Sequence, residues 1–204
     1  MQFLDAYRKA REDLARCDPR DTVNRSGAVY HQEDGCYQLR YCNSLYTIAA
    51  KTGEIRSTPG AGELTHEEHI LLLQYLVEAS GIPPRGRWCS FLELPGGPHH
   101  YALFQKEAIF PLAEAFGEKP GALREAARPL GGQDSDLGEV GVVIPVFPKL
   151  WLAFMVWGGD DEFPPRANLL FDTAASTHLS TASLYVLGIE VSRKLRRIVP
   201  RKEA

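Results

Sequence analysis

Paired cysteines are missing from this 204-residue sequence: Cys17, Cys36, Cys42 and Cys89 are scattered, and no C-x-x-C occurs. That spacing argues against a structural zinc site or an iron–sulfur cluster, which use closely spaced ligands. The thiols are expected to be reduced and packed as small hydrophobes, as in a cytoplasmic protein. Cys36 and Cys42, six apart, would share one face if the chain between them were a regular strand. Long apolar runs are missing too. The best candidate, "VGVVIPVFPKLWLAFMVW" (140–157), is broken by Pro145, Pro148 and Lys149. Each half falls short of the roughly 20 residues that cross a bilayer, and two strands joined near Phe147-Pro148 are predicted instead. The N-terminal "MQFLDAYRKAREDLARC" has no apolar core of a secretory leader, so a cytoplasmic location is expected. Net charge is only -3, which supplies no basic face for nucleic acid. G-K-[ST], G-x-S-x-G and H-E-x-x-H are all absent, removing the usual phosphate-loop, serine-hydrolase and zincin signatures.

What remains is ordinary folded composition, with 44% hydrophobic and 24% charged residues. The length predicts one α+β domain over residues 1–198 and a flexible basic tail over 199–204. Phe3, Leu4, Tyr7, Ala10, Arg11 and Leu14 recur at helical spacing. Residues 28–55 read as a meander of short antiparallel strands. Thr65 and Glu68 have the spacing of a capping box, and Gly81 with Pro83-Pro84 prevents that helix from resuming. A short strand is expected within 87–94. A helix over 100–117 must kink or break at Pro111, and a shorter one lies within 119–132. The strand pair at 140–157 is followed by a strand at 167–172 and a last helix from Thr181 to Ile198, capped by Ser180 or Thr181. The sheet should be largely antiparallel with helices packed on it.

Several segments could carry chemistry. In "WGGDDEFPPRANLLFD" (157–172), Asp160, Asp161 and Glu162 follow an apolar strand, and Asp172 ends the next. Were Asp172 to lie at the same sheet end, Asp160, Asp161 and Asp172 could hold a hard cation, or two carboxylates could divide acid and base roles. That would make a metal-assisted hydrolase or lyase using the Asp160, Asp161, Glu162 and Asp172 carboxylates. The same residues also suit a turn, with Asp160 bonding backbone amides, Phe163 anchored in the core and the prolines stiffening the exit. In "LPGGPHHY" (94–101), Gly96 and Gly97 precede a helix start, and His99 and His100 add donors. An ordinary Gly-Gly-Pro turn competes with a small-ligand site there.

Other groups are weaker. His66 and His69 share a helix face, but one residue too close for the zincin pair. His178 could meet Asp172, yet Ser176, Ser180 and Ser183 lack a nucleophile context. Arg193, Lys194, Arg196, Arg197, Arg201 and Lys202 suit a helix C-terminus, with contact to an acidic partner as the alternative.

The segments "GRWCSFLELPGGPHHYALFQKEAIFPLAEAFG" and "WGGDDEFPPRANLLFDTAASTHL", above all Asp161, Glu162, Phe163, Pro164, Pro165, Leu170, Phe171 and Asp172, resemble the bacterial and archaeal domain of unknown function 3786. The resemblance runs from the first helix almost to residue 198. It implies no established activity and no assigned catalytic residue. It does imply occurrence in anaerobes and an accessory role near corrinoid or iron–sulfur cofactors, although this chain lacks a cysteine cluster. It also has "LSTASL" where an acidic residue is expected after the Thr. The combined expectation is a non-catalytic binding or accessory domain. A small ligand or anionic cofactor would sit in a cleft between Gly96, Gly97, His99 and His100 on one side and Asp161 and Glu162 on the other. Substrate, cofactor, partner protein and oligomeric state are left open.

Overall fold

The computed structural model describes residues 2–198, and side chains from Asp5 onward. The predicted tail 199–204, with Arg201 and Lys202, lies outside the described residues, as do the side chains of Phe3 and Leu4. The fold is α+β and is built on two antiparallel sheets.

The first sheet is a meander in chain order: β1 (Val29–His31), β2 (Cys36–Tyr41), β3 (Ser44–Ala49) and β4 (Ile55–Ser57). Alternation in β2 buries Tyr37, Leu39 and Tyr41 on one face. The β2–β3 turn is made by Cys42 and Asn43, both left-handed at φ 44° and 65°. Strand β2 therefore ends before Cys42, and the regular strand that would align it with Cys36 does not form. All four thiols are free.

The second sheet has the order β5-β9-β8-β7-β6. Its centre is the predicted hairpin of β7 (Val140–Phe147) and β8 (Leu150–Trp157), which joins β9 (Arg166–Asp172). Both central strands are apolar along nearly their whole length because both faces are covered. The edges are three-residue strands, β5 (Trp88–Ser90) and β6 (Gln133–Ser135). Polar β6 was not predicted, since its pairing uses only backbone groups. The sheets meet where Cys42 N–H donates to Val146 O at 2.9 Å. There Tyr75 stacks on Phe147 at 4.1 Å, with Tyr41 on the same ring at 5.1 Å.

Helix α1 (Gln2–Ala15) packs on α3 (His66–Glu78), and α2 (Pro19–Ser26) closes the same side. The capping box of α3 is present: Thr65 Oγ1 accepts from Glu68 N–H, and Glu68 Oε2 accepts from Thr65 N–H. The predicted helix over 100–117 is composite. It contains α4 (Tyr101–Phe104), a π turn (Gln105–Ile109) and α5 (Phe110–Phe116). Pro111 has no N–H to offer the preceding turn, and the helix widens just before it. Phe110 N–H bonds to Gln105 O, and Ala108 O instead accepts from Ser192 Oγ at 2.7 Å. Helix α6 (Ala122–Ala127) lies on β7. The last helix, α7 (Thr181–Ile198), is capped by Ser180 and buries Leu184, Leu187, Val191 and Leu195. Its Gly188 permits close approach of the Phe104 ring, which a Cβ there would meet at 2.8 Å. No helix among the described residues is long and apolar enough to cross a membrane.

Candidate functional site

The segment after β5 is shaped by local bonds. Ser90 N–H and Oγ donate to Glu93 Oε2 at 2.7 and 2.8 Å, which holds the Glu93 carboxyl below its usual range. The chain turns over Phe91 and reaches Pro95-Gly96-Gly97-Pro98. Gly96 is left-handed, at φ 74°, and faces open space. Gly97 has a different constraint: a Cβ there would sit 1.9 Å from Phe91 O. His100 O then accepts from Phe104 N–H at 2.9 Å, which starts α4. His99 and His100 are both exposed.

Opposite this loop is the first turn of α7. Together they enclose a cavity of about 410 Å³. Phe91, Gly96 and His100 line one side, and Thr181, Tyr185 and Val186 line the other. The aromatic wall is rigid, because Phe91 stacks on Phe104 at 4.4 Å and meets Tyr185 edge-on at 5.7 Å. Tyr185 donates to Glu107 Oε2 at 3.0 Å. Burial, and then the Glu107 carboxylate, push its phenol up to about 12, so it stays neutral. The cavity is within the size range of small-molecule sites, and its polar side chains include the His100 imidazole and Thr181 hydroxyl.

The acidic turn is elsewhere. Gly159 N–H donates to Gly117 O at 3.4 Å, and the Pro165 ring packs on Gly117, at the end of α5. The Gly96–His100 loop and the Asp161–Glu162 turn thus occupy opposite ends of the composite 101–116 helix, about 24 Å long at 1.5 Å per residue. The wall facing the glycine loop is instead α7.

Asp160, Asp161 and Asp172 do not converge. Trp157 pairs with Arg166 and Leu152 with Phe171, so β9 carries Asp172 to the far end of the sheet, roughly 20 Å from the turn. An antiparallel hairpin brings together the end of one strand and the start of the next, and Asp172 is at the wrong end of β9 for that. Asp160 and Asp172 also have structural partners. Asp160 Oδ1 accepts from Glu162 N–H at 2.9 Å and Phe163 N–H at 2.7 Å, and these bonds lower its pKa. Buried Asp172 accepts from the N–H groups of Arg85, Gly86 and Ala174. No group of three or more His, Cys, Asp or Glu among the described residues is placed to hold a metal. Phe163, expected in the core, is 60% exposed. The tight turn points it outward, while Pro165 makes the inward contact.

His69 and His178 also have structural places. His69 Nδ1 lies 2.7 Å from Thr65 O, edge-on to Tyr7. His178 is fully buried: its Nδ1 accepts from Ser80 N–H at 3.3 Å, and its Nε2 has no hydrogen-bond partner among the described residues. Burial lowers its pKa, so the ring is held neutral, and Asp172 spends its oxygens on backbone amides.

The family described as Domain of unknown function (DUF3786) matches residues 18–194. The chain belongs to the DUF3786 family. No curated protein and no solved structure matches it. Within this DUF3786 chain, the cavity residues Phe91, Thr181, Tyr185 and Val186 were not identified from sequence. They come from distant segments and carry no local motif. Only Gly96 and His100 of the predicted ligand residues line the cavity.

Proposed function

We propose that this DUF3786 chain is a small-molecule binding protein whose ligand sits between the Pro95–His100 loop and the first turn of α7. The observation that carries this reading is the cavity of about 410 Å³ with Phe91 and Tyr185 as an aromatic wall. Such a space suits a compact, largely apolar molecule. Its polar end would meet His100, Thr181 and the first amides of α7, which have no acceptor within the helix. The role is non-catalytic and accessory. The family resemblance makes heterocyclic fragments of corrinoid and redox cofactors the first compounds to screen.

The test is a panel of such fragments added to ¹⁵N-labelled protein, followed by amide correlation spectra. The expected result is saturable shifts concentrated in residues 91–100 and 181–186. Shifts concentrated at the Asp160–Phe163 turn would favour the acidic segment instead. A panel that shifts no amide of either cavity wall counts against the proposal.

A further inference from the structure

A second cavity, of about 530 Å³, lies at the other end of α7. Its walls are the Cys42–Ser44 turn, the loop at 60–63, Pro129–Leu130 and the last turns of α7. Asn43 helps hold two of them together, donating from Nδ2 to Pro129 O at 3.4 Å.

The polar groups here are arranged in a particular way. Glu68 is 1% exposed, and its Oε1 accepts from Tyr41 Oη–H and from Lys194 Nζ–H, each at 2.8 Å. Tyr46 Oη–H is committed to Gly62 O at 3.3 Å. The Cys42 thiol is pushed up to about 12, chiefly by burial, and stays protonated and inert. The lining acceptors in the interior are therefore already used or weak. Unused donors are present: Lys194 has two further N–H groups, and Arg197 makes no ion pair or hydrogen bond among the described residues. Glu63, the acidic side chain in the lining, is exposed. The rest of the lining offers apolar surface, from the Tyr41 and Tyr46 rings, Leu130 and Ile198.

Surplus donors beside an apolar wall call for an acceptor-only group on an apolar body. We propose that this cavity binds a small molecule bearing a carboxylate or phosphate on an apolar ring, with Arg197 and Lys194 taking the oxyanion. The site is independent of the cavity at Phe91 and Tyr185, and neither assignment depends on the other.

The test uses the full chain and three probes of one shape: 1-naphthoate, 1-naphthyl phosphate and neutral 1-naphthamide. Binding is followed by calorimetry and by amide shifts. The expected result is that at least one anion binds tenfold or more tightly than the amide, with shifts at Ser44, Gly62 and Leu130. The tighter anion identifies the oxyanion. Arg197→Gln should abolish the preference and Arg197→Lys should keep part of it. Both variants are expected to fold, since Arg197 is exposed, and matching urea midpoints would check this. Ala182→Trp, in the first cavity, should change nothing here. Equal affinity of anions and amide, no saturable binding, shifts confined to 91–100 and 181–186, or wild-type preference in a folded Arg197→Gln would each overturn the proposal.

Discussion

Lys194 Nζ lies 2.8 Å from Glu68 Oε1, tying the last turns of α7 to the first turn of α3 through a carboxylate that is 1% exposed. The same carboxylate closes the capping box with Thr65, so one side chain serves a local and a long-range bond. Removing the lysine would leave a buried charge without its partner. Lys194→Met is expected to cost about 3 kcal/mol, at the low end for a broken buried pair because the adjoining cavity admits water. Adding Glu68→Gln should recover more than half of that loss. Urea midpoints of the single and double variants check this, and strict additivity would contradict it.

Adjacent glycines should respond differently. Gly96 needs a left-handed backbone but has space, so Gly96→Ala should cost about 1 kcal/mol. Gly97 abuts Phe91 O, so Gly97→Ala forces the loop to move and should cost about 2–3 kcal/mol. Thermal unfolding of the pair separates backbone strain from overpacking.

Protonation of His178 gives a pH test. Its folded pKa is lowered chiefly by burial. The unfolded histidine keeps its ordinary affinity near 6.5, so below that pH the unfolded state takes up a proton that the folded state resists. The stability contribution is therefore present above about 6.5 and lost as pH falls through the folded pKa. Urea midpoints from pH 8 to 5 should decline less steeply in His178→Gln than in the wild type. Buried Glu190, whose pKa is raised, has the opposite sign, so the difference between the two curves isolates His178.

Ser192 should matter to the widened turn. Its hydroxyl supplies the bond to Ala108 O at 2.7 Å in a buried setting. Ser192→Ala leaves that carbonyl bare and should cost about 1–3 kcal/mol. Hydrogen exchange should quicken within residues 105–110 more than in α6.

Features set by neighbours in the chain were legible in the sequence. The Thr65–Glu68 box, the Ser180 cap and the hairpin at Phe147-Pro148 all follow from residues within a few positions. Pro111 marked a disturbance, but not a π turn, because that depends on Ser192 arriving from α7. Residues of the site were less legible. Lys194 read as a helix-end charge because its partner Glu68 lies far along the chain. Phe91 and Tyr185 form a wall only after α7 packs on the composite helix. Carboxylate density in 157–172 pointed to a cluster, whereas strand direction places Asp172 at the far end of the sheet.

The central claim is that the space between the glycine loop and α7 receives a ligand. Ala182 is exposed and lines it, so Ala182→Trp would fill the cavity without disturbing the buried face of α7. The most direct measurement is the affinity of the best-binding fragment for wild-type and Ala182→Trp protein at matched stability. At least a tenfold loss is expected in the variant, together with loss of the shifts at 91–100. Unchanged affinity in a folded Ala182→Trp protein would contradict it.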